Sequence, residues 1–458
     1  MTRLIWCGIV VLATSCGKVS NDGDDGGVDG GTCAPDTFLR CKDASTAEFC
    51  AAGGDGVRAE SCAAGCNEAA MRCNECVPDQ AVCDAGVLSG CSADGTLLTP
   101  QTCSAGCVDA SAAGPAHCAY LEPRYLPDVC DQLATEATFD VTTNATFDTN
   151  LDANCTGGIV AQTEKPDICV VRYGTVTVQA AKTLTVTGSR ALAIVTDGDL
   201  QILGELDAAA HAAANGPGGG TRSSGVATTG SDATAKGGGG AGFRQQGGDG
   251  GSATQTGGGN AGGPTLIAST LASLIGGPKA TNGGGGGGAV TLISCRAAVI
   301  VSGTIDVGGG GGAAGFDILP GSSFAVVGAD GGGAGGQVLL QGLDVKVTGG
   351  LFANGGGGGS GGAGNDIAGA PGSDGNQSAT VCTSGGVKSP AGAGGKGGCT
   401  ASIPADGQAP SSSTATTAGG GGGSTGFLFV YVPTGATPTL TPSEVSPALS
   451  PTVTAPTR

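Results

Sequence analysis

Between Tyr173 and Pro433, apolar residues alternate with threonine, glycine and other small residues. Thr175 to Gln179 reads Thr-Val-Thr-Val-Gln, and Leu184 to Gly188 reads Leu-Thr-Val-Thr-Gly. A period of two sends alternate side chains to opposite faces of a strand, and Val and Thr suit that half-buried surface. Three longer stretches align with one another: Ala191 to Ala208, Ala289 to Val307 and Gln337 to Ala353, with Gly204, Gly303 and Gly349 at one shared position. Each reads as two short strands joined by a turn, and a shorter relative, Phe-Leu-Phe-Val-Tyr-Val, occupies 427–432. One pair of short strands cannot bury its apolar face alone. The repetition therefore predicts an all-β protein with a parallel β-solenoid-like body over 173–434, each unit burying its face on the next.

Long glycine-rich excursions interrupt this pattern, among them Gly283 to Gly288, Gly308 to Gly312 and Gly355 to Gly359. Contact between strand units would fix both ends of each excursion. Chains without side chains can approach closely in an extended, polyproline-II-like form, so the tracts are expected to be ordered parts of one body. Residues 119–172 show little periodicity and read as a connecting or capping segment. The tail, 435–458, is rich in Pro, Thr and Ser and reads as extended and unpacked.

Cysteine spacing organises the N-terminal third. Cys33, Cys41, Cys50, Cys62, Cys66 and Cys73 are separated by seven, eight, eleven, three and six residues; Cys76, Cys83, Cys91, Cys103, Cys107 and Cys118 by six, seven, eleven, three and ten. Two small disulfide-rich modules, 33–73 and 76–118, follow from this duplication. Each is too short for a sufficient apolar core, so crosslinks worth about 2–4 kcal/mol apiece must stabilise it. The twelve cysteines are expected to pair within their own modules with one shared connectivity. Cys130, Cys155, Cys169, Cys295, Cys382 and Cys399 complete an even set of disulfide candidates. Cys73 and Cys76 form a CxxC, but no second CxxC follows, and no zinc site is expected.

The start of the chain places the protein outside the cytoplasm. Arg3, an apolar run from Leu4 to Leu12, and small residues ahead of Cys16 have the layout of an export signal over 1–15. The run is about half the roughly 20 residues of a membrane span. Ala13-Thr14-Ser15-Cys16 is similar to a bacterial lipobox, which makes Cys16 the expected site of lipidation and the membrane anchor. Residues 16–32, with Asp22, Asp24 and Asp25 among glycines, read as an acidic tether; a calcium loop would need a glutamate at its twelfth position. Of 458 residues, 93 are glycine and one is tryptophan, so burial must come from Val, Leu, Ile and Ala. The formal charge of −18 excludes nucleic acid as a partner, because it needs clustered Lys and Arg.

Candidate chemistry is sparse. Gly358 to Gly362 and Gly422 to Gly426 both satisfy G-x-S-x-G, but neither precedes a helix, and His117 and His211 are the only histidines to serve as bases. Both histidines read as incidental surface residues. Lys396 follows glycines without the Ser or Thr of a phosphate loop. Gly361 to Asp366 matches the opening of a calcium-binding nonapeptide, with no second copy nine residues on. Asp207 and Asp306 fill one slot of two aligned units, with Phe352 in the third. Stacked carboxyls could serve as acid and base on a sugar, although aspartate after a strand is ordinary turn chemistry.

Taken together, the lipobox-like start, the acidic glycine linker, the tandem six-cysteine modules and the Gly-Gly-Ala-Val-Thr-Leu-Ile-Ser units resemble a group of cysteine- and glycine-rich surface lipoproteins of myxobacteria. The strand repeats also resemble the pectin-lyase-like parallel β-helix. The first resemblance implies no activity. The expected function is structural or adhesive at the cell surface or outer membrane, with no catalytic residue, cofactor or metal. The expected partners are envelope or matrix polysaccharide or other surface proteins. The alternatives are a carbohydrate-active β-helix enzyme and a calcium-stabilised secreted protein.

Overall fold

The computed structural model describes residues 32–103, 106–112, 114–163, 165–220, 229–230, 235–253, 259–265, 271–316, 326–363, 367–411 and 417–458. The export signal, Cys16 and almost all of the tether lie outside them. Among the described residues the protein is nearly all strand, with one 3-10 turn at Asp152–Asn154, and no helix is long and apolar enough to cross a membrane. Contacts divide the chain into two units: residues up to 82 with 89–100, and residues 83–88 with 101–458.

In the first unit Phe38–Asp43, Thr46–Cys50 and Val57–Ser61 form an antiparallel sheet. Its buried centre is little more than Ala47, Cys50 and Cys62, while Leu39 and Val57 stay exposed. Disulfides take the place of a core. Cys33–Cys50, Cys41–Cys66 and Cys62–Cys73 join the first cysteine of the module to the third, the second to the fifth and the fourth to the sixth. Cys76–Cys91, Cys83–Cys107 and Cys103–Cys118 repeat that order. Each closes a short loop, worth about 3 kcal/mol in lost unfolded-state entropy. Cys73 and Cys76 are both committed to disulfides and hold no thiolate for zinc.

The second unit contains three sheets of parallel strands, and the chain visits them in rotation. The first sheet runs Thr138–Val141, Thr175–Val178, Leu200–Ile202, Ala298–Val301, Asp344–Val347, Thr439–Leu440. The second runs Ala145–Asp148, Thr183–Thr187, Glu205–Asp207, Thr304–Asp306, Gly350–Phe352, Glu444–Ser446. The third runs Ile168–Tyr173, Ala191–Thr196, Ala289–Ser294, Gln337–Gln341, Phe427–Pro433, Val453–Ala455, with Gly158–Val160 antiparallel at its start. Each aligned sequence unit thus supplies three strands, where two were expected. Gly204, Gly303 and Gly349 mark the corner between the first and second sheets. A Cβ on Gly349 would lie 1.8 Å from the Gly303 carbonyl oxygen, and one on Gly303 1.7 Å from that of Gly204. Backbone stacks on backbone at this corner, which only glycine permits.

Two segments depart from the sequence reading. Within 119–172, Thr138–Val141, Ala145–Asp148 and the strand beginning at Ile168 supply one strand to each of the three sheets, and the tail 435–458, expected to be unpacked, adds one strand to each sheet. Inward side chains such as Val176, Leu200, Leu206, Ile194, Leu292, Ile305, Val347 and Leu428 form one buried cluster. The third sheet is buried on both faces, which explains why Ala191–Thr196 and Ala289–Ser294 read as unbroken runs. Leu126, Cys130 and Leu274 pack on one part of its outer face, and Leu121, Leu271 and Ile275 on another.

A buried charge group holds 119–134 in place. Asp197 Oδ1 accepts from Arg172 (2.6 Å) and Arg296 (2.7 Å), while its Oδ2 accepts from the Ala134 amide at 2.6 Å. Arg172 and Arg296 also donate to the carbonyls of Gln132 and Cys130. Replacing Asp197 by Ala strands two largely buried guanidinium groups and is expected to destabilise the chain by about 3–5 kcal/mol. Urea midpoints would measure this; a cost below about 1 kcal/mol would assign the segment's attachment to the disulfide and apolar packing alone.

The glycine tracts form three excursions, 208–288, 307–336 and 353–426, each leaving a second-sheet strand and returning to a third-sheet strand. Most of their described residues belong to no helix or strand. Successive amides of one segment bond to different neighbours: Gly419 to Gln408, Gly420 to Gly359 and Gly421 to Gly238, then Gly422 to Ala405, Gly423 to Gly356 and Ser424 to Ala241. The segment 355–361 repeats this with the carbonyls of Gly398, Gly333, Ser373, Gly395, Asp330, Ala370 and Gly392. Neighbours recur every third residue, the repeat of a polyproline-II helix, whose amides have no partner within their own chain. The excursions therefore satisfy each other's backbone in a glycine-rich lattice.

Candidate functional site

The excursions begin at the ends of three second-sheet strands, Glu205–Asp207, Thr304–Asp306 and Gly350–Phe352, and polar residues collect there. Asp207 and Asp306 are register partners, followed by Phe352 and Ser446. Neighbouring strands lie about 4.8 Å apart, so the two carboxyls stack as the repeat alignment implied. Each first serves its own turn: Asp207 Oδ1 accepts from the Ala209 amide at 3.1 Å, and Asp306 Oδ1 from the Gly308 amide at 2.8 Å. Their surroundings differ. Asp306 is 5% exposed, and burial pushes its carboxyl up to about 7, against the pull of Gly308 and Gln377 and with help from Asp207 and Glu205.

His211, read as incidental, is part of this group. Its Nε2 is 3.6 Å from Asp207 Oδ2 and its Nδ1 3.6 Å from Asp374 Oδ2, with the ring 63% exposed. Asp374 comes from the third excursion and accepts from the amides of Ala212 and Gly311, both at 2.7 Å. Three residues on, Gln377 donates to Glu205 at 2.6 Å and also reaches Asp306. Glu444 accepts from the Ala379 amide (2.6 Å) and the Ser378 hydroxyl (3.1 Å). Asn354, fully buried, donates to the carbonyls of Asn376 and Ser378 at 2.7 Å and accepts from Ser446 Oγ. Residues 374–379 thus lie on the outer face of the second sheet, bound by side chains from three of its strands, by Asn354 and His211, and by backbone of the second excursion.

A buried carboxyl raised toward neutrality beside a second carboxyl is one element of acid–base chemistry on a sugar. Access is missing: Asp306 is closed off beneath Gly375 and Gln377. A cleft of about 290 Å3 lies at other residues, Glu122, Arg124, Gln341, Tyr431, Thr454 and Pro456, and is at the small end for a ligand site. Its Gln341 amide is already committed to the Arg124 amide and the Glu122 carbonyl.

The remaining candidates are structural where they are described. Ser360 and Ser424 of the G-x-S-x-G matches are fully buried in the lattice; Ser360 Oγ accepts from Ala370 and Ser424 Oγ donates to the Thr425 carbonyl. His117 sets Nδ1 against the Pro115 carbonyl and its ring against Tyr120. The Lys396 carbonyl accepts from Ala405 within the lattice. The end of the nonapeptide match, 364–366, lies outside the described residues. The later cysteines pair as Cys130–Cys295, Cys155–Cys169 and Cys382–Cys399. Among the described residues no group of three or more His, Cys, Asp or Glu could hold a metal ion. No family model, curated protein or solved structure matches the chain.

Proposed function

We propose that this chain is an extracytoplasmic structural or adhesive protein of the cell surface, without catalytic activity, and that its body is a parallel β-solenoid stiffened by the glycine lattice. Nine disulfides suit an oxidising compartment. The rotation of the chain through three parallel sheets supports the solenoid. Lipidation at Cys16 would hold the protein on the membrane, with polysaccharide or other surface proteins as partners. The observation that carries the reading is the lattice itself: among the described residues its backbone amides bond to its own carbonyls, and it offers no array of reactive side chains. Such a construction gives stiffness and extent, which anchoring and adhesion use.

One observation favours a second reading, a carbohydrate-active enzyme: the Asp207–Asp306 pair. A single assay separates the two. Incubated with envelope polysaccharide, the full-length protein is expected to be retained saturably and to release neither new reducing ends nor unsaturated products. Product release that Asp306→Asn abolishes would establish the enzyme instead.

A further inference from the structure

We propose that residues 374–379 form an acid-closed latch, held on the outer face of the second sheet while the buried Asp306 carboxyl keeps its proton and released when that proton is lost. The groups facing the latch can be named element by element. Glu205 and Asp207 come from one strand, Asp306 from the next and Glu444 from a third; His211 comes from the first excursion, and Asp374 and Gln377 belong to the latch. His211 and Lys182, whose carbonyl accepts from the Glu205 amide at 2.8 Å, bring positive charge to this neighbourhood among the described residues. Lys279, on the first excursion, donates to the Ala213 carbonyl and faces Asp330.

In the closed state Gln377 Nε2 donates to Glu205 at 2.6 Å with Asp306 close by, and Gly375 packs at Gly308, next to the Asp306 carboxyl. With Asp306 neutral, this arrangement buries no charge at that position. Loss of the Asp306 proton puts a buried charge beside Asp207 and Glu205, and the cheapest relief is to admit water by lifting the residues that cover it. The sign follows from the direction of the shift. The Asp306 carboxyl is raised from 3.8 to about 7, so its protonated form favours the closed state; that contribution is complete below 3.8 and lost as pH rises through about 7. A protonated His211 adds to closure, because it then pairs with Asp207 of the body and Asp374 of the latch together. Only the base of the third excursion is affected, since its outer part is bonded into the lattice through Gly369 and Gly372.

Hydrogen exchange on the full chain at about pH 5 and about pH 8.5 tests the latch, with each amide expressed as a protection factor so that the intrinsic pH dependence of exchange cancels. Gly375, Asn376 and Ala379, which donate to Gly309, Thr383 and Glu444, report the latch; Gly333 and Gly423 report the lattice. The latch amides are expected to lose about tenfold or more of their protection at the higher pH while the lattice amides keep theirs. In Asp306→Asn the latch stays protected at both pH values. Equal latch protection at the two pH values in the wild-type chain overturns the proposal, as does a parallel loss in the lattice amides, which marks general loosening. The wild-type comparison decides the matter even where the variant folds poorly.

Discussion

Alanine in place of Gly333 is expected to cost about 4 kcal/mol and to raise hydrogen exchange across 328–336 and 353–361 about a thousandfold. The new Cβ would lie 1.9 Å from the Gly285 carbonyl oxygen, well inside contact distance. No flexible side chain is there to move aside; the obstacle is the backbone of a neighbouring segment. Gly333 also donates to Gly310 and accepts from Gly356, so displacing it disturbs bonds on two further sides. Overpacking alone typically costs about 1–3 kcal/mol, and each buried amide left unpaired adds about 1–3 kcal/mol more. Gly114 is the control, because a Cβ there meets nothing within 4 Å; its alanine variant should stay within about 0.5 kcal/mol of wild type. Exchange at 328–336 that does not change in the Gly333 variant would mean that the lattice yields locally and carries little of the stability.

The lattice also explains what the sequence could and could not disclose. A glycine tract announces that neighbours approach closely, but identical residues carry no register. Nothing in Gly355 to Gly361 says that its amides go to Gly398, Gly333 and Ser373 in turn. The strand repeats were legible because their inward positions are Val, Leu and Ile at a period of two, whereas Thr439–Leu440 and Glu444–Ser446 are too short and too polar to announce themselves. Duplicated cysteine spacing foretold one repeated connectivity without revealing the order. Asp207 and Asp306 were found by alignment because they share a slot. Their partner Asp374 stands 162 residues beyond the Ala212 amide it accepts from, and no periodicity links the two. His211 therefore looked like a stray residue in an alanine run.

Removing the Cys130–Cys295 disulfide by a double Cys→Ala substitution is expected to cost about 5 kcal/mol, against about 3 kcal/mol for Cys382–Cys399. The two crosslinks differ in loop length, 165 residues against 17. Because the closed-loop entropy grows as the logarithm of that length, the difference between them is only about 2 kcal/mol. Both sulfurs of the longer bridge are buried, so its removal also leaves a cavity under the segment that covers the third sheet. The Asp197 ion pairs and the bond from the Leu121 amide to the Cys295 carbonyl hold that segment in the folded state with or without the disulfide. They do nothing to restrict the unfolded chain, which is where the longer crosslink acts. The loss should therefore appear in the urea midpoint of the whole chain while exchange of the Leu121 amide in the native state changes little. Equal costs for the two double variants would refute the entropic account, and a selective loss of Leu121 protection would show that the disulfide positions the segment directly.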